Sequence, residues 1–199
     1  MADNLILLEV SAFSGLAGAL FTQVISAVNT YFIDRRKQTA EVRSQHRAKK
    51  IEIGESFYYI TGEKMACINK NIRYWKNWNN SRSEASLDFL NKETSQFNSY
   101  MEQLNADNWK YNLISLYFNV SFTNDEVVKS NARSHQLYLL YLDLAEKIRM
   151  SEDDIKTEEL HQRFAVTVYE MCSHYEEIYA RLKHDSETVK TQLLNEFAV

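Results

Sequence analysis

Proline is absent from this sequence of 199 residues, and glycine occurs only four times. Collagen-like chains, proline-rich disordered chains and turn-rich β-sandwiches depend on these residues, so their scarcity argues against all three classes. Four glycines also leave no room for a glycine-rich phosphate loop. The two cysteines, Cys67 and Cys172, are too few for a disulfide-dense secreted scaffold.

Residue patterns that mark catalytic or metal sites are also missing. Glu158 and His161 have the Glu-x-x-His spacing of di-iron bundles, but no second pair with that spacing accompanies them. Cys172 lies in an apolar segment, which is typical of a small core residue. We therefore predict a protein that is not an enzyme and that has no catalytic residue, metal site or cofactor.

The longest uncharged run lies near the N-terminus, where 24 consecutive residues from Val10 to Ile33 carry no charge. As a helix this run would extend about 36 Å, more than the ~30 Å hydrocarbon core of a bilayer. Residues 34–50 hold seven basic and two acidic side chains, an excess that favours the cytoplasmic side. We predict a single-pass anchor in the inner membrane over residues 1–34, with the N-terminus outside, and a basic stalk over 35–50. A buried or interfacial helix is the alternative.

Small and polar side chains recur along this run at helical spacing. Small residues every four positions let two helix backbones approach closely in lipid, and polar amides are costly when they face lipid. The pattern predicts a self-associating helix in contact with membrane lipids, with a conducting pore or a plain anchor as alternatives. The predicted helix interface consists of Ser11, Ser14, Gly15, Gly18, Ala19, Thr22, Gln23 and Ser26.

Residues 51–199 are predicted to form a cytoplasmic all-α domain. Apolar side chains at helical spacing predict helices over about 51–79, 84–104 and 126–150 and a last helix that begins after a break at Ser151–Asp154, and capping boxes begin at Ser81 and Thr123. Residues 109–122 alternate like a strand and also repeat like a helix, and we favour a helix because no other strand could pair with them. The last helix carries a heptad-like seam that packs within the bundle or against a partner: Leu160, Phe164, Val168, Met171, Tyr175, Ile178, Leu182 and Val189.

The most unusual local composition lies in residues 70–82, which combine two of the three tryptophans with four cationic side chains. Aromatic rings stack on bases and cations bind phosphates, so the segment predicts a site for a single-stranded or cyclic oligonucleotide. In the alternatives, Trp75 fills the core, or the segment contacts a membrane or a partner. Residues 83–199 have a net charge of −9, which argues against duplex nucleic acid. The candidate ligand-binding residues are Lys70, Arg73, Tyr74, Trp75, Lys76, Trp78, Arg82, Trp109 and Lys110.

The predicted protein has a membrane helix with its N-terminus outside and a row of small residues, followed by a basic stalk and a compact helical domain. This architecture resembles that of the small membrane effectors of bacterial antiviral defence. It is most similar to the type III CRISPR-associated membrane effectors gated by cyclic tetra-adenylate. The resemblance implies a tetrameric cytoplasmic domain that binds a cyclic nucleotide and thereby perturbs the spans.

Two functions of different class follow from the sequence. The first is a non-enzymatic membrane effector whose helical domain senses a ligand and perturbs the membrane through oligomerised spans in antiviral defence. The second is a membrane-tethered scaffold that recruits a protein partner through its C-terminal heptad helix.

Overall fold

The structure, a computed structural model, describes residues 2–78, 83–107, 113–121 and 123–197, with residues 2–21 and Asp107 described by their helical backbone alone. Helices cover 94% of the described residues and no strand occurs among them, so the all-α prediction is confirmed. The helices are α1, Ala2–Trp78; α2, Glu84–Asp107; α3, Ile114–Tyr117; α4, Asn124–Arg149; and α5, Asp154–Phe197.

The chain divides into two compact units, residues 1–49 and residues 50–199. In the first unit α1 exposes each described side chain from Thr22 to Ala48. Among the described residues, no helix offers a stretch whose length and apolarity would let it cross a bilayer. The predicted transmembrane helix is therefore not supported by the structure. Residues 10–21 of the predicted span lie outside the residues whose side chains are described.

In the second unit, four helical segments run alternately up and down as a bundle. Residues 50–78 of α1 pack antiparallel to α2 and to α5, and α4 packs antiparallel to the same two helices. The contacts that fix these directions are Lys64–Asn105 and Trp75–Thr94 between α1 and α2, Asn91–Tyr141 and Asp88–Arg149 between α2 and α4, Glu126–Arg181 and Arg133–Glu170 between α4 and α5, and Lys50–Glu196 and Trp75–Tyr175 between α1 and α5.

The apolar seam of α5 is buried inside this bundle. Each of its eight side chains, from Leu160 to Val189, is at most 9% exposed. Packing within the bundle is thus confirmed, and the alternative, in which this seam packs against a partner, is not supported. The reason is that the matching apolar faces of α1, α2 and α4 already cover it.

The segment between α2 and α4 contains one helical turn, so the helix predicted over 109–122 is confirmed for Ile114–Tyr117 and wrong for residues 118–121. Phe118 ends α3 in an extended conformation, and its side chain is buried. Asp185 of α5 is fully buried and accepts hydrogen bonds of 2.9 Å from the backbone N–H and the hydroxyl of Ser121. Tertiary contacts of this kind, which sequence periodicity does not report, hold residues 113–121. Residues 109–112 and 122 lie outside the described residues.

One of the two predicted capping boxes begins within the described residues, and its first side chain does not cap the helix. Thr123 precedes α4 as expected, but its side chain makes no capping hydrogen bond. At α2 the hydroxyl of Ser83 accepts the N–H of Ser86 at 3.2 Å, whereas Ser81 lies outside the described residues. At α5 the carboxylate of Asp153 accepts the N–H of Ile155 at 2.9 Å. The helix boundaries therefore agree with the prediction more closely than the capping contacts do.

Two glycines of α1 provide a matched test of the packing at this end of the bundle. A Cβ at Gly54 would lie 2.6 Å from Cζ of Phe118 and 2.8 Å from Cδ2 of Leu193, whereas a Cβ at Gly62 would meet nothing within 4 Å. Both neighbours of Gly54 are buried, so Gly54→Ala should destabilise the fold by about 1–3 kcal/mol. Gly62→Ala should stabilise it by up to about 1 kcal/mol, because alanine favours a helix interior. Urea denaturation measures both changes, and equal effects of the two substitutions would contradict the packing described here.

Candidate functional site

A cavity of about 240 Å³ lies inside the second unit and opens between α2 and α4. Four buried side chains form its floor, namely Lys64 from α1 and Tyr175, Ile178 and Leu182 from α5. Its rim consists of exposed residues such as Glu102 of α2 and His135 of α4. This arrangement makes an open cleft with an apolar floor and a polar mouth, the usual form of a small-molecule site.

The cavity exists because the facing positions of α2 and α4 carry short polar side chains. Well-packed interiors fill such positions with large apolar residues, but among the described side chains α2 and α4 contribute only Met101 and Val127 as aliphatic groups to the lining. Both are half-buried. The described polar residues that α2 and α4 contribute to the lining are Asn98, Glu102, Asn105, Ser130, Asn131, Ser134 and His135.

Lys64 is the charged group of the floor. Its side chain is only 7% exposed, and its ammonium donates a hydrogen bond of 2.7 Å to Oδ1 of Asn105. Burial lowers the pKa of Lys64 to about 8, because the charged form loses its hydration. The residue lies at a core position of α1, four residues after Ile60 and four before Ile68, both of which are buried.

A histidine behind the α4 wall fixes two of the serines. Nε2 of His174 lies 3.0 Å from Oγ of Ser134 and 3.3 Å from the carbonyl oxygen of Ser130. Burial lowers the pKa of His174, so its neutral form is favoured at pH 7. These contacts join α5 to the part of α4 that lines the cavity, and they hold that wall in place.

The cavity was not predicted from the sequence. A signal for it was present, because Lys64 interrupts the apolar series formed by Phe57, Ile60 and Ile68 at the spacing of one helix face. Lysines at such positions commonly extend their ammonium groups to the surface, however. Only the path of α2 past Lys64 shows that this side chain stays inside.

The basic and aromatic segment predicted as the ligand site is mostly part of the bundle's structure. Trp75 is fully buried and Trp78 is 4% exposed, so neither ring is available for stacking on a base. Trp75 donates a hydrogen bond of 3.0 Å to Thr94 and packs against Phe97 and Tyr175, with ring centroids 5.6 and 5.3 Å away. The alternative interpretation, in which Trp75 fills the core, is therefore confirmed.

The described cations of the same segment, Lys70, Arg73 and Lys76, lie on the surface, and two of them are paired. Lys70 forms an ion pair with Glu93 at 2.8 Å, and Lys76 forms one with Glu176. Tyr74 packs edge-to-face on the ring of Phe89. The structure thus brings Lys70 and Lys76 to acidic neighbours. Tyr74 and Trp78 line a pocket of about 400 Å³ together with Phe89, and the described cations of the segment do not line it.

Arg73 is exposed on α1, and three further candidate residues fall where the structure gives no description. Arg82, Trp109 and Lys110 lie outside the described residues. Of the predicted helix interface, Thr22, Gln23 and Ser26 are exposed on α1. The side chains of the other five residues of that interface are outside the description.

Reactive and metal-binding groups are not assembled in the described part of the chain. Burial raises the pKa of the Cys172 thiol to about 11, so the thiol stays protonated at pH 7. His161 stacks on Trp78 with ring centroids 6.4 Å apart. Among the described residues, no three histidine, cysteine or acidic side chains are grouped as metal ligands.

Comparison with protein-family models, with curated proteins and with solved structures gives no match for this chain. The resemblance to cyclic-nucleotide-gated membrane effectors therefore stays a prediction. The interpretation of function depends on the residues of the chain itself.

Proposed function

We propose that the protein is a membrane-tethered sensor whose helical bundle binds a small ligand in the cavity between α2 and α4. The bundle is the sensing part, the N-terminal helix is the anchor, and the output is a change in self-association of the anchors. This function is non-enzymatic. The proposal retains the effector class predicted from the sequence. It places the ligand site in the cavity whose floor includes Lys64, and not in residues 70–82.

The observation that carries this proposal is the cavity itself. A cleft of about 240 Å³ opens into the bundle, and its floor includes a buried lysine. Burying a lysine is costly, and an empty cleft loses packing contacts. A bundle selected only for stability would fill both positions with apolar side chains, so we attribute their retention to ligand binding.

The membrane tether is proposed from the composition of residues 10–33 and from the exposure of their described part. Five apolar side chains of that part are between 49% and 61% exposed: Val24, Ile25, Val28, Tyr31 and Phe32. A run of exposed apolar side chains needs lipid or another helix to cover it. The basic residues of 35–50 would then lie at the anionic headgroups of the cytoplasmic leaflet.

The proposed output depends on how the ligand changes the packing of α2 against α4. A ligand shifts an equilibrium between two states only if it binds them with different affinity. The cavity mouth separates α2 from α4, so a ligand that contacts both helices favours one spacing between them. We propose that this spacing controls the assembly of the N-terminal helices into an oligomer through their small residues, and that this assembly changes membrane integrity. The oligomer is a tetramer if the resemblance to the antiviral effectors holds.

The scaffold alternative is not favoured by the bundle. It assigned partner recruitment to the apolar seam of α5, and that seam is buried against the other helices of the same chain. Recruitment through this seam would require the bundle to open.

Membrane attachment is tested by fractionation of cells that produce the full-length chain. We expect the protein to stay in the membrane pellet after carbonate extraction. Ala17→Arg combined with Ala19→Arg should release it to the supernatant, because each arginine near the centre of a span costs about 2.5–3.5 kcal/mol. The matched control, Ala40→Arg combined with Ala48→Arg, adds the same charge outside the span and should leave the protein in the pellet. Wild-type protein in the supernatant, or release of both double variants alike, would contradict the proposed anchor.

A further inference from the structure

We propose that the cavity between α2 and α4 binds a small organic monocarboxylate, with its carboxylate at Lys64 and its apolar body along Tyr175, Ile178 and Leu182. The inference rests on the proposed function only in taking the cavity as the ligand site. It adds the charge, the size and the orientation of the ligand.

The charge of the ligand follows from the charged groups around the cavity. Lys64 supplies a cation on the floor, where a carboxylate would share the ammonium with Asn105 and form a charge-assisted hydrogen bond. None of the described lining residues is an arginine, the residue that most often pairs with phosphate through two parallel bonds. Glu102 at the rim adds a negative charge. A single negative charge suits this set better than the two charges of a phosphate monoester.

The shape of the floor sets the body of the ligand. Tyr175, Ile178 and Leu182 follow one another at spacings of three and four residues, so they form one stripe along α5. Seven residues of helix extend about 10 Å. An aromatic ring with a short chain, or an alkyl chain of similar length, would cover this stripe.

The size of the cavity also limits the ligand. Sites for drug-sized molecules enclose about 300–1,000 Å³, and the cavity here encloses about 240 Å³. A cyclic oligonucleotide is larger than a drug-sized molecule and would not fit on the floor. The cyclic nucleotide implied by the resemblance is therefore not the ligand that we assign to this cavity.

The test uses full-length protein in lipid nanodiscs and three probes that share a phenyl ring. Phenylacetate carries one negative charge, phenylacetamide is its neutral match, and phenyl phosphate carries close to two charges. Saturation-transfer NMR and calorimetry at pH 7 measure binding, with empty nanodiscs to subtract partition into lipid. We expect phenylacetate to bind at least tenfold more tightly than phenylacetamide and more tightly than phenyl phosphate.

Three variants locate the binding. Lys64→Met should weaken phenylacetate binding at least tenfold, because it removes the charge and keeps the length of the side chain. Lys70→Met is the matched control, a surface lysine of the same helix that pairs with Glu93, and should bind like the wild type. Ser130→Leu keeps Lys64 and fills part of the cavity, so it should also weaken binding.

Three results would overturn the inference. Equal binding of phenylacetate by the wild type and by Lys64→Met would show that the carboxylate does not use this lysine. Tighter binding of phenyl phosphate than of phenylacetate, or no binding of phenylacetate, would show that the ligand is not a monocarboxylate. These results leave the proposed anchor unaffected, because fractionation tests the anchor separately. Binding of phenyl phosphate that is lost in Lys64→Met would support the cavity as the ligand site and would replace the monocarboxylate with a phosphate as its ligand.

Discussion

Lys64→Met should make the bundle more stable at pH 7, although the same change removes the proposed carboxylate binding. Burial lowers the pKa of Lys64 from 10.5 to about 8. A shift of this size means that burial costs the charged form ~3 kcal/mol relative to the neutral form. Methionine is similar in length and has no charge to desolvate. We expect the free energy of unfolding to rise by roughly 1–3 kcal/mol, as when hydrophobic residues replace buried charges.

The buried Lys64 also makes the stability of the fold depend on pH. The pKa of Lys64 is lower in the folded than in the unfolded chain, so between pH 8 and 10.5 the unfolded chain binds more protons and stability rises with pH. The other titratable side chains that line the cavity are Glu102, His135 and Tyr175. Burial raises the pKa of Tyr175 and of the Cys172 thiol, whose ordinary value is 9.0, so both groups lower stability as the pH rises past their ordinary values. The contribution of Lys64 is therefore the difference between the wild type and Lys64→Met, in which these effects cancel.

Urea denaturation of full-length protein between pH 7 and 9.5 measures this difference. The wild type should gain stability from Lys64 across this range, and Lys64→Met should lack that gain. Lys70→Met removes an exposed lysine and should change stability by less than about 0.5 kcal/mol. A loss of stability in Lys64→Met at pH 7 would show instead that Lys64 is retained for its hydrogen bond with Asn105.

Trp75→Ala should cause the largest loss of stability among the substitutions considered. The indole is fully buried, donates a hydrogen bond to Thr94 and contacts the rings of Phe97 and Tyr175. Removal of a buried tryptophan side chain costs about 3–5 kcal/mol, which approaches the whole stability of many domains. Thermal denaturation followed by circular dichroism should show a much lower midpoint or no cooperative transition.

Arg73→Ala is the control for Trp75→Ala, because Arg73 is exposed two residues earlier on the same helix. It should alter stability by less than about 0.5 kcal/mol. The nucleotide-site interpretation of residues 70–82 predicts the opposite pattern, in which both variants fold normally and both lose ligand binding. A folded Trp75→Ala protein with an unchanged thermal midpoint would support that interpretation and contradict the packing described here.

Helix positions were predictable from this sequence because the apolar faces repeat over many turns. The seam from Leu160 to Val189 determines the inward face of α5 whichever helix covers it. The segment around Ser121 was not predictable, because its conformation depends on a bond to Asp185, 64 positions away. Local periodicity contains no information about such a contact.

The candidate site was harder to predict than the fold. Trp75 and Lys70 look like a ligand site in the sequence because they are close along the chain, but helix geometry sends one into the core and the other to the surface. Lys64 looks like an ordinary lysine, and its burial depends on the path of α2. The cavity arises from short side chains on α2 and α4 that are distant in sequence, so no local pattern marks it.

The most direct test of this account is a pH titration of the Lys64 side chain by NMR, on full-length protein labelled at lysine Cε and assigned with Lys64→Met. We expect half-protonation near pH 8 in the free protein and at higher pH with phenylacetate bound, because the bound anion favours the charged lysine. A midpoint near 10.5, the ordinary value, that phenylacetate does not change would contradict the account.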